Sequence, residues 1–345
     1  MEDRLTLQSC LGRAAPHTTT RASSVVVIEA LARAAIDLAA MISAGPLAGI
    51  TGEDGALNAD GDRQKDIDIA ADRLMRNALR TAPVAAVLSE EAELPETFDE
   101  AAPLCVAIDP LDGSANLENN ISVGTIFSIR PKGHDAISTF FEPGTAQCAA
   151  GFFIYGPQTL LVLALDVRVD VFILDARTGA FVLMKHGVQV PADTPEFAIN
   201  ASNRRHWSSA VRRYIDGCLA GVTGEQAGDF NMRWIGSLVA EAYRILGRGG
   251  VFLYPADARP AYREGRLRLV YEAHPIALIM EWAGGAASSG RARILELSAR
   301  TPHQRVPLVM GSALAVRDVN LIHDGFEPLF ENNDAPLFAR RGLFR

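Results

Sequence analysis

Residues 88–116 read LSEEAELPETFDEAAPLCVAIDPLDGSAN. Two short apolar runs, VAAVL at 84–88 and CVAI at 105–108, have the length and β-branched content of buried strands. Both stop at carboxylates: Glu90 and Glu91 follow the first, Asp109 and Asp112 the second. A strand end is a rigid support, so acids placed there are candidates for chemistry.

Working outward, apolar periodicity predicts a helix over 24–42, in which Glu29, Arg33 and Asp37 recur every four residues as one polar face. That face excludes a membrane span. A long loop follows, GPLAGITGEDGALNADGDRQ at 45–64, then a helix over 67–79. Beyond the acidic strand ends, GTIFSI at 124–129 reads as the next strand, and residues 152–184 give three more, the last two joined by a turn at 177–179. The Pro-containing stretch HGVQVPADTPEF at 186–197 marks a domain boundary, giving an N-terminal α/β domain over 1–190 and a C-terminal one over 191–335. In the second half helices are expected at 208–219 and 235–246, strands at 251–254 and 266–271, and a helix after Pro275 that stops at Gly284 and Gly285. Alternation of this kind predicts α/β layers in both halves.

With 345 residues, 48% hydrophobic and 21% charged, the chain can build a large core and falls in the ordinary globular class. The net charge of −8 is dispersed, so neither nucleic acid nor an anionic membrane is an expected partner. The N-terminus lacks the pattern of a secretory signal, and Cys10, Cys105, Cys148 and Cys218 are too widely spaced for a metal motif. Both features predict a cytoplasmic protein.

Hard divalent cations take near-octahedral oxygen ligands from carboxylates, water and phosphate. In DPLDG, Asp109 leaves the strand, Pro110 fixes the turn and Asp112 returns three residues later, so the two acids converge; Gly113 and Ser114 add turn amides suited to phosphate. A carboxylate shared between two ions about 3.5–4 Å apart would form the clamp used in phosphoryl displacement. Each acidic pair alone reads as a solvated loop. Their coincidence with the acidic helix entry DGDRQKDID and with the Tyr271–Glu272 strand end points instead to one site.

These motifs, in this order, resemble those of the class I fructose-1,6-bisphosphatases, within the lithium-sensitive phosphatase superfamily that includes inositol monophosphatases. The resemblance rests on LSEE, DPLDGSAN and SVGTIFSI, on GD and KDID upstream, and on RWIGSLVAE, GGVFLYP, RLRLVYEAHPIALIMEWAGG and HQRVPLVMGS downstream. FLYP, RLRLVYE and HQR separate the bisphosphatases from the inositol phosphatases. The resemblance implies an αβαβα five-layer sandwich of the sugar-phosphatase type, homotetrameric, with metals where the two halves meet. It further implies Mg²⁺, two or three ions per subunit, with Mn²⁺ as a substitute, and hydrolysis of the 1-phosphate of fructose 1,6-bisphosphate in gluconeogenesis or the Calvin cycle. Glu90, Asp109 and the Leu111 carbonyl would hold one ion; Asp109, Asp112 and Glu272 a second; Glu90 and Asp62 a third. Asp68 paired with Glu91 would deprotonate the attacking water, and the Gly113 and Ser114 amides would stabilise the charge that develops. Asn200, Tyr254 and Arg266 would face the sugar and its 6-phosphate, with Arg233 reaching in from a neighbouring subunit.

The chain departs from the family pattern at informative places. Arg266 stands where lysine is usual, Trp234 replaces a phosphate-binding tyrosine, and NASNRRHW at 200–207 replaces a tyrosine-bearing run, so Arg204 or Arg205 is expected to compensate. These changes leave sedoheptulose 1,7-bisphosphate as an alternative or second substrate. TTRASSVVV at 19–27 and Pro103–Leu104 replace the AMP-binding residues of the animal enzymes, which argues against inhibition by AMP. A silent metal-binding relative would have no use for Asp68 and Glu91 beside the ligands.

Overall fold

The computed structural model describes residues 5–13, 18–48, 54–57 and 63–325. The first half supplies helices α1 (Leu7–Arg13), α2 (Thr19–Ala44) and α3 (Asp66–Arg80). Its strands are β1 (Asp54–Leu57), β2 (Arg63–Lys65), β3 (Val84–Ser89), β4 (Glu96–Thr97), β5 (Leu104–Asp112), β6 (Val123–Pro131), β7 (Ala149–Tyr155), β8 (Leu160–Leu165), β9 (Arg168–Asp175) and β10 (Ala180–Lys185). The second half contributes α4 (Ser209–Leu219), α5 (Leu238–Arg248), α6 (His274–Trp282) and α7 (Ala313–Gly325). With them come strands β11 (Glu196–Ala198), β12 (Asn231–Met232), β13 (Val251–Tyr254), β14 (Leu267–Arg268), β15 (Ala286–Ser288), β16 (Arg305–Val306) and β17 (Leu308–Gly311).

Strands β3 to β10 form an eight-stranded sheet in the order β10-β9-β8-β7-β6-β5-β3-β4, and a five-stranded sheet has the order β12-β11-β13-β17-β15. Strands β3, β5, β7 and β8 are buried along their whole length, which is why they read as continuous apolar runs and not as alternating ones. One face packs on α2 and α3 through Val27, Leu31, Leu38, Met75 and Leu79. The other packs on α5 and α6, whose far side meets the smaller sheet, and α4 and α7 close that sheet from outside through Tyr214, Ile215 and Val316. The layers therefore run α, β, α, β, α, as expected. Truncating a fully buried leucine such as Leu31 to alanine in such a core costs about 2–5 kcal/mol.

Four local findings differ from the sequence reading. Residues 149–184 hold four strands, because Asp166 and Val167 (φ 54° and 58°) make a two-residue hairpin between β8 and β9 without the glycine that usually marks it. Residues 266–271 are not one strand: β14 ends at Arg268 and a π-helical turn, Leu269–Ala273, leads into α6, so Glu272 sits on that turn and not at a strand end. The acidic stretch 92–103, whose charges alone read as solvated, is tied to the fold, since Glu96 lies on β4 and pairs with Arg76 (3.0 Å) and Arg80 of α3. Within the stretch read as a loop, Gly45–Ala48 form a 3₁₀ turn and β1 pairs antiparallel with β2; residues 49–53 and 58–62, including Asp62, and residues 326–335 of the C-terminal domain lie outside the described residues.

Candidate active site

Strands β3 and β5 are parallel neighbours, with Ser89 opposite Ile108. Parallel pairing brings both C-terminal ends to the same edge, and the Glu90 N–H continues the ladder onto the Ile108 carbonyl at 3.0 Å. The two acidic runs of residues 88–116 thus become one cluster.

The DPLD segment is a bulge: β5 pairs regularly with β6 to Asp109–Ile126, then shifts register before Asp112–Gly124. Hydrogen bonds hold it. The Leu111 N–H donates to Asp109 Oδ1 at 3.0 Å, and Thr125 Oγ1 donates to the Pro110 carbonyl at 2.8 Å, itself in contact with the Tyr155 hydroxyl at 2.9 Å. Opposite Asp112, Gly124 leaves room for the start of α5. A β-carbon there would lie 2.3 Å from the Phe153 carbonyl and 2.7 Å from the Val239 side chain. That closeness lets the Val239 N–H donate to Asp112 Oδ2 at 3.2 Å.

Glu272 arrives from the second half of the chain. Its π-turn folds the carboxylate back onto the Arg268 N–H, and π-turns of this kind recur at functional sites. Asp109, Asp112 and Glu272 are all buried, and each offers an oxygen within 4.8 Å of the others. Burial raises all three: Asp109 and Glu272 are held well above the usual carboxylate range and Asp112 is pushed up to about 7, with the negative charge of Glu90 adding to each. A hydrogen bond between Glu90 and Asp109 adds to the rise of the latter. Such a set favours either protons or a cation, and an all-oxygen donor set of this charge fits a divalent cation of the Mg²⁺ or Mn²⁺ type.

Glu90 stands at the cluster's edge, half-buried, 3.5 Å from the Arg268 guanidinium. Arg268 was quoted in the RLRLVYE motif without a role; its spacing of four from Glu272 was the signal available. Asp68 is buried in the first turn of α3, and Glu91 follows β3. One turn beyond Asp68, Asp72 accepts the Ser89 hydroxyl at 2.7 Å, and Ser89 Oγ accepts the Glu91 N–H at 3.3 Å. Asp72 and Ser89, which the sequence reading did not single out, therefore orient the Glu90–Glu91 turn from the helix that carries Asp68. Gly113 takes φ 75° at the head of the short 3₁₀ helix Ser114–Asn119, directly after Asp112.

Three of the expected substrate contacts come together: Asn200, Tyr254 and Arg266 line one recess with Asn203, Trp207 and Asp257. Arg266 stacks on Tyr262 at 3.7 Å and lies 5.5 Å from the Tyr254 ring centre. Trp234 stacks on Phe252 and meets Tyr254 edge-on at 5.8 Å, so it buttresses this wall. Arg233 is apart from the recess, half-exposed and 3.7 Å from Glu196. The expectation for Arg204 and Arg205 is corrected: Arg204 is paired with Asp216 at 2.9 Å and Arg205 bonds His206, whereas Arg259, tied to Asp257 and Asn203, stands behind Arg266. An open groove of about 710 Å³ over α4 is lined by two ion pairs, Arg204–Asp216 and Arg213–Glu225, and by Arg212.

The chain is similar to known proteins over nearly its whole length. Residues 6–186 match the family model described as Fructose-1-6-bisphosphatase, N-terminal domain, and residues 190–324 the one described as Fructose-1-6-bisphosphatase, C-terminal domain. The class 1 fructose-1,6-bisphosphatase of Bradyrhizobium sp. (strain ORS 278) is 71% identical over 324 residues, 94% of this chain and 91% of that protein. The class 1 fructose-1,6-bisphosphatase of Rhodopseudomonas palustris (strain BisA53) is 54% identical over 346 residues, covering 100% of both chains. Among solved structures, Leishmania major fructose-1,6-bisphosphatase in holo form superimposes with a TM-score of 0.86 at 30% identity, over 93% of this chain and 99% of that one.

Proposed function

The chain belongs to the class I fructose-1,6-bisphosphatases, and from that membership we propose how its own residues carry out the hydrolysis of the 1-phosphate of fructose 1,6-bisphosphate. The observation that carries the reading is the buried triad Asp109, Asp112 and Glu272, drawn from both halves of the chain. Glu90, Asp109, the Leu111 carbonyl, Asp112, Glu272 and Asp62 would hold two or three Mg²⁺ ions per subunit, with Mn²⁺ as a substitute. When bound, such ions neutralise phosphoryl charge and make water more acidic.

The protein's groups do the rest. Asp68, with its partner Glu91, takes the proton of the attacking water; a positioned base of this kind contributes about 10²–10⁴-fold. The Gly113 and Ser114 amides donate to the phosphoryl oxygens. Asn200, Tyr254 and Arg266 hold the sugar and its far phosphate, and Arg266 can grip that phosphate with two parallel N–H bonds where lysine offers a point charge. Arg233, half-exposed and outside the recess of its own chain, serves a neighbouring subunit in a homotetramer; domain 1–190 carries most of the metal ligands, and domain 191–335 carries Glu272 and the sugar and 6-phosphate contacts. Among the described residues no helix is long and apolar enough to cross a membrane, and the widely spaced cysteines are the feature that favours a cytoplasmic setting.

The test is phosphate release by the purified protein from fructose 1,6-bisphosphate and sedoheptulose 1,7-bisphosphate, with and without AMP. The reading expects a higher kcat/KM on the fructose ester and no response to AMP. A higher kcat/KM on the seven-carbon ester would move the assignment to sedoheptulose bisphosphatase.

A further inference from the structure

The geometry points to His303 as a positioning residue that fixes the distance between the two halves of the carboxylate site. This inference rests on the reading of that site as a metal centre. His303 opens the HQR motif, to which no role has so far been attached. Its Nδ1 is 2.5 Å from the Tyr271 hydroxyl, and its Nε2 lies 3.1 Å from the Ala92 carbonyl. A carbonyl only accepts, so Nε2 carries the proton and donates, while Nδ1 accepts the Tyr271 O–H. Tyr271 precedes Glu272 on the π-turn and is fully buried; Ala92 follows Glu91. One imidazole, 211 residues beyond Ala92 in the sequence, therefore joins the segment carrying Glu90 and Glu91 to the turn carrying Glu272.

The rest of the motif grips the same turn. The Leu269 N–H, at the start of the π-turn, donates to the Gln304 carbonyl at 2.8 Å, and Arg305 pairs with Arg268 across β14 and β16. Residues 303–305 thus hold the turn along its backbone, and His303 alone of the three also holds the opposite acidic segment. Partners behind a ligand shell matter because mutually repelling carboxylates keep the spacing a cation needs only if something outside them is rigid.

Calorimetric titration of Mn²⁺ into the full-length protein tests this. His303→Ala is expected to raise the Kd for Mn²⁺ about 10–100-fold, the range for partners behind a ligand shell. His303→Gln, which keeps an N–H donor for the Ala92 carbonyl, is expected to recover most of that loss, a rescue that a purely volumetric role would not give. A Kd for folded His303→Ala within about twofold of the unmodified protein overturns the inference. Should His303→Ala fail to fold, Tyr271→Phe decides: it keeps the ring and removes the hydroxyl, and a Kd raised at least about threefold supports the strut while an unchanged one overturns it. If the unmodified protein binds no Mn²⁺, the metal reading itself fails and the strut with it. If all forms bind alike, only the strut fails.

Discussion

Asp112 concentrates the electrostatics of the site. Its carboxyl receives amide hydrogen bonds from the start of α5, which favour the charged form, yet burial outweighs them and pushes it up to about 7. A carboxyl raised in this way binds protons more tightly folded than unfolded. Its stabilising contribution in the metal-free protein is present below about pH 4, where unfolded aspartate titrates, and is lost as pH rises through about 7. Asp109 and Glu272 shift in the same direction. Thermal unfolding of the chelated protein should therefore show falling stability between pH 5 and 7 relative to the Asp112→Asn variant, and a divalent cation should reverse that trend because it competes with the protons. Parallel profiles for the two proteins would contradict it. Asp68 has a different part. Asp68→Asn should lower kcat by about 10²–10⁴-fold while leaving the Kd for Mn²⁺ near its original value, and a loss of metal binding instead would make Asp68 a ligand.

At the scale of elements, the parallel pairing of β3 with β5 is what turns two acidic runs into one site, and Gly124 is what lets α5 close on it. Gly124→Ala should cost about 1–3 kcal/mol through overpacking and should also weaken Mn²⁺ binding, because Val239 is displaced from Asp112. Stability lost without any change in metal affinity would separate the two effects. The β8–β9 hairpin makes the opposite prediction. Val167 is exposed and sits at φ 58°, a left-handed conformation that costs a β-branched residue about 1–2 kcal/mol. Val167→Gly should therefore stabilise the protein, read as a higher Tm at unchanged activity. Sequence could locate the strands on either side but not this turn, since turn reading depends on Gly or Asn and here neither is present. The π-turn at 269–273 is illegible for a related reason: the β-branched Val270 and aromatic Tyr271 favour a strand, and only the tertiary contact with Gln304 and the folded-back Glu272 side chain override that propensity.

Over the whole molecule, five layers place the site at the seam between the larger sheet and the second half of the chain, so no half is complete alone. Part of this is legible in the sequence: strand ends and spacing point to the acids at 90, 109, 112 and 272, whereas residues 200, 254 and 266 follow only from the family resemblance. What stayed hidden were the residues that act behind others. Asp72 and Ser89 carry no signature of their own, Arg268 and His303 only their place in a motif, and the roles of all four exist only once β3, α3 and the π-turn are in contact. The proposed part of Arg233 in a neighbouring subunit is tested by sedimentation, with a homotetramer as the expected result, and by Arg233→Ala, which should raise KM for the bisphosphate with little change in kcat. The most direct test of the central claim is the rate of phosphate release from fructose 1,6-bisphosphate as Mg²⁺ is titrated into chelator-treated protein. The account predicts no measurable release without the cation, saturable activation as it is added, and no activation of Asp112→Asn over the same range. Release that proceeds at full rate in excess chelator would contradict it.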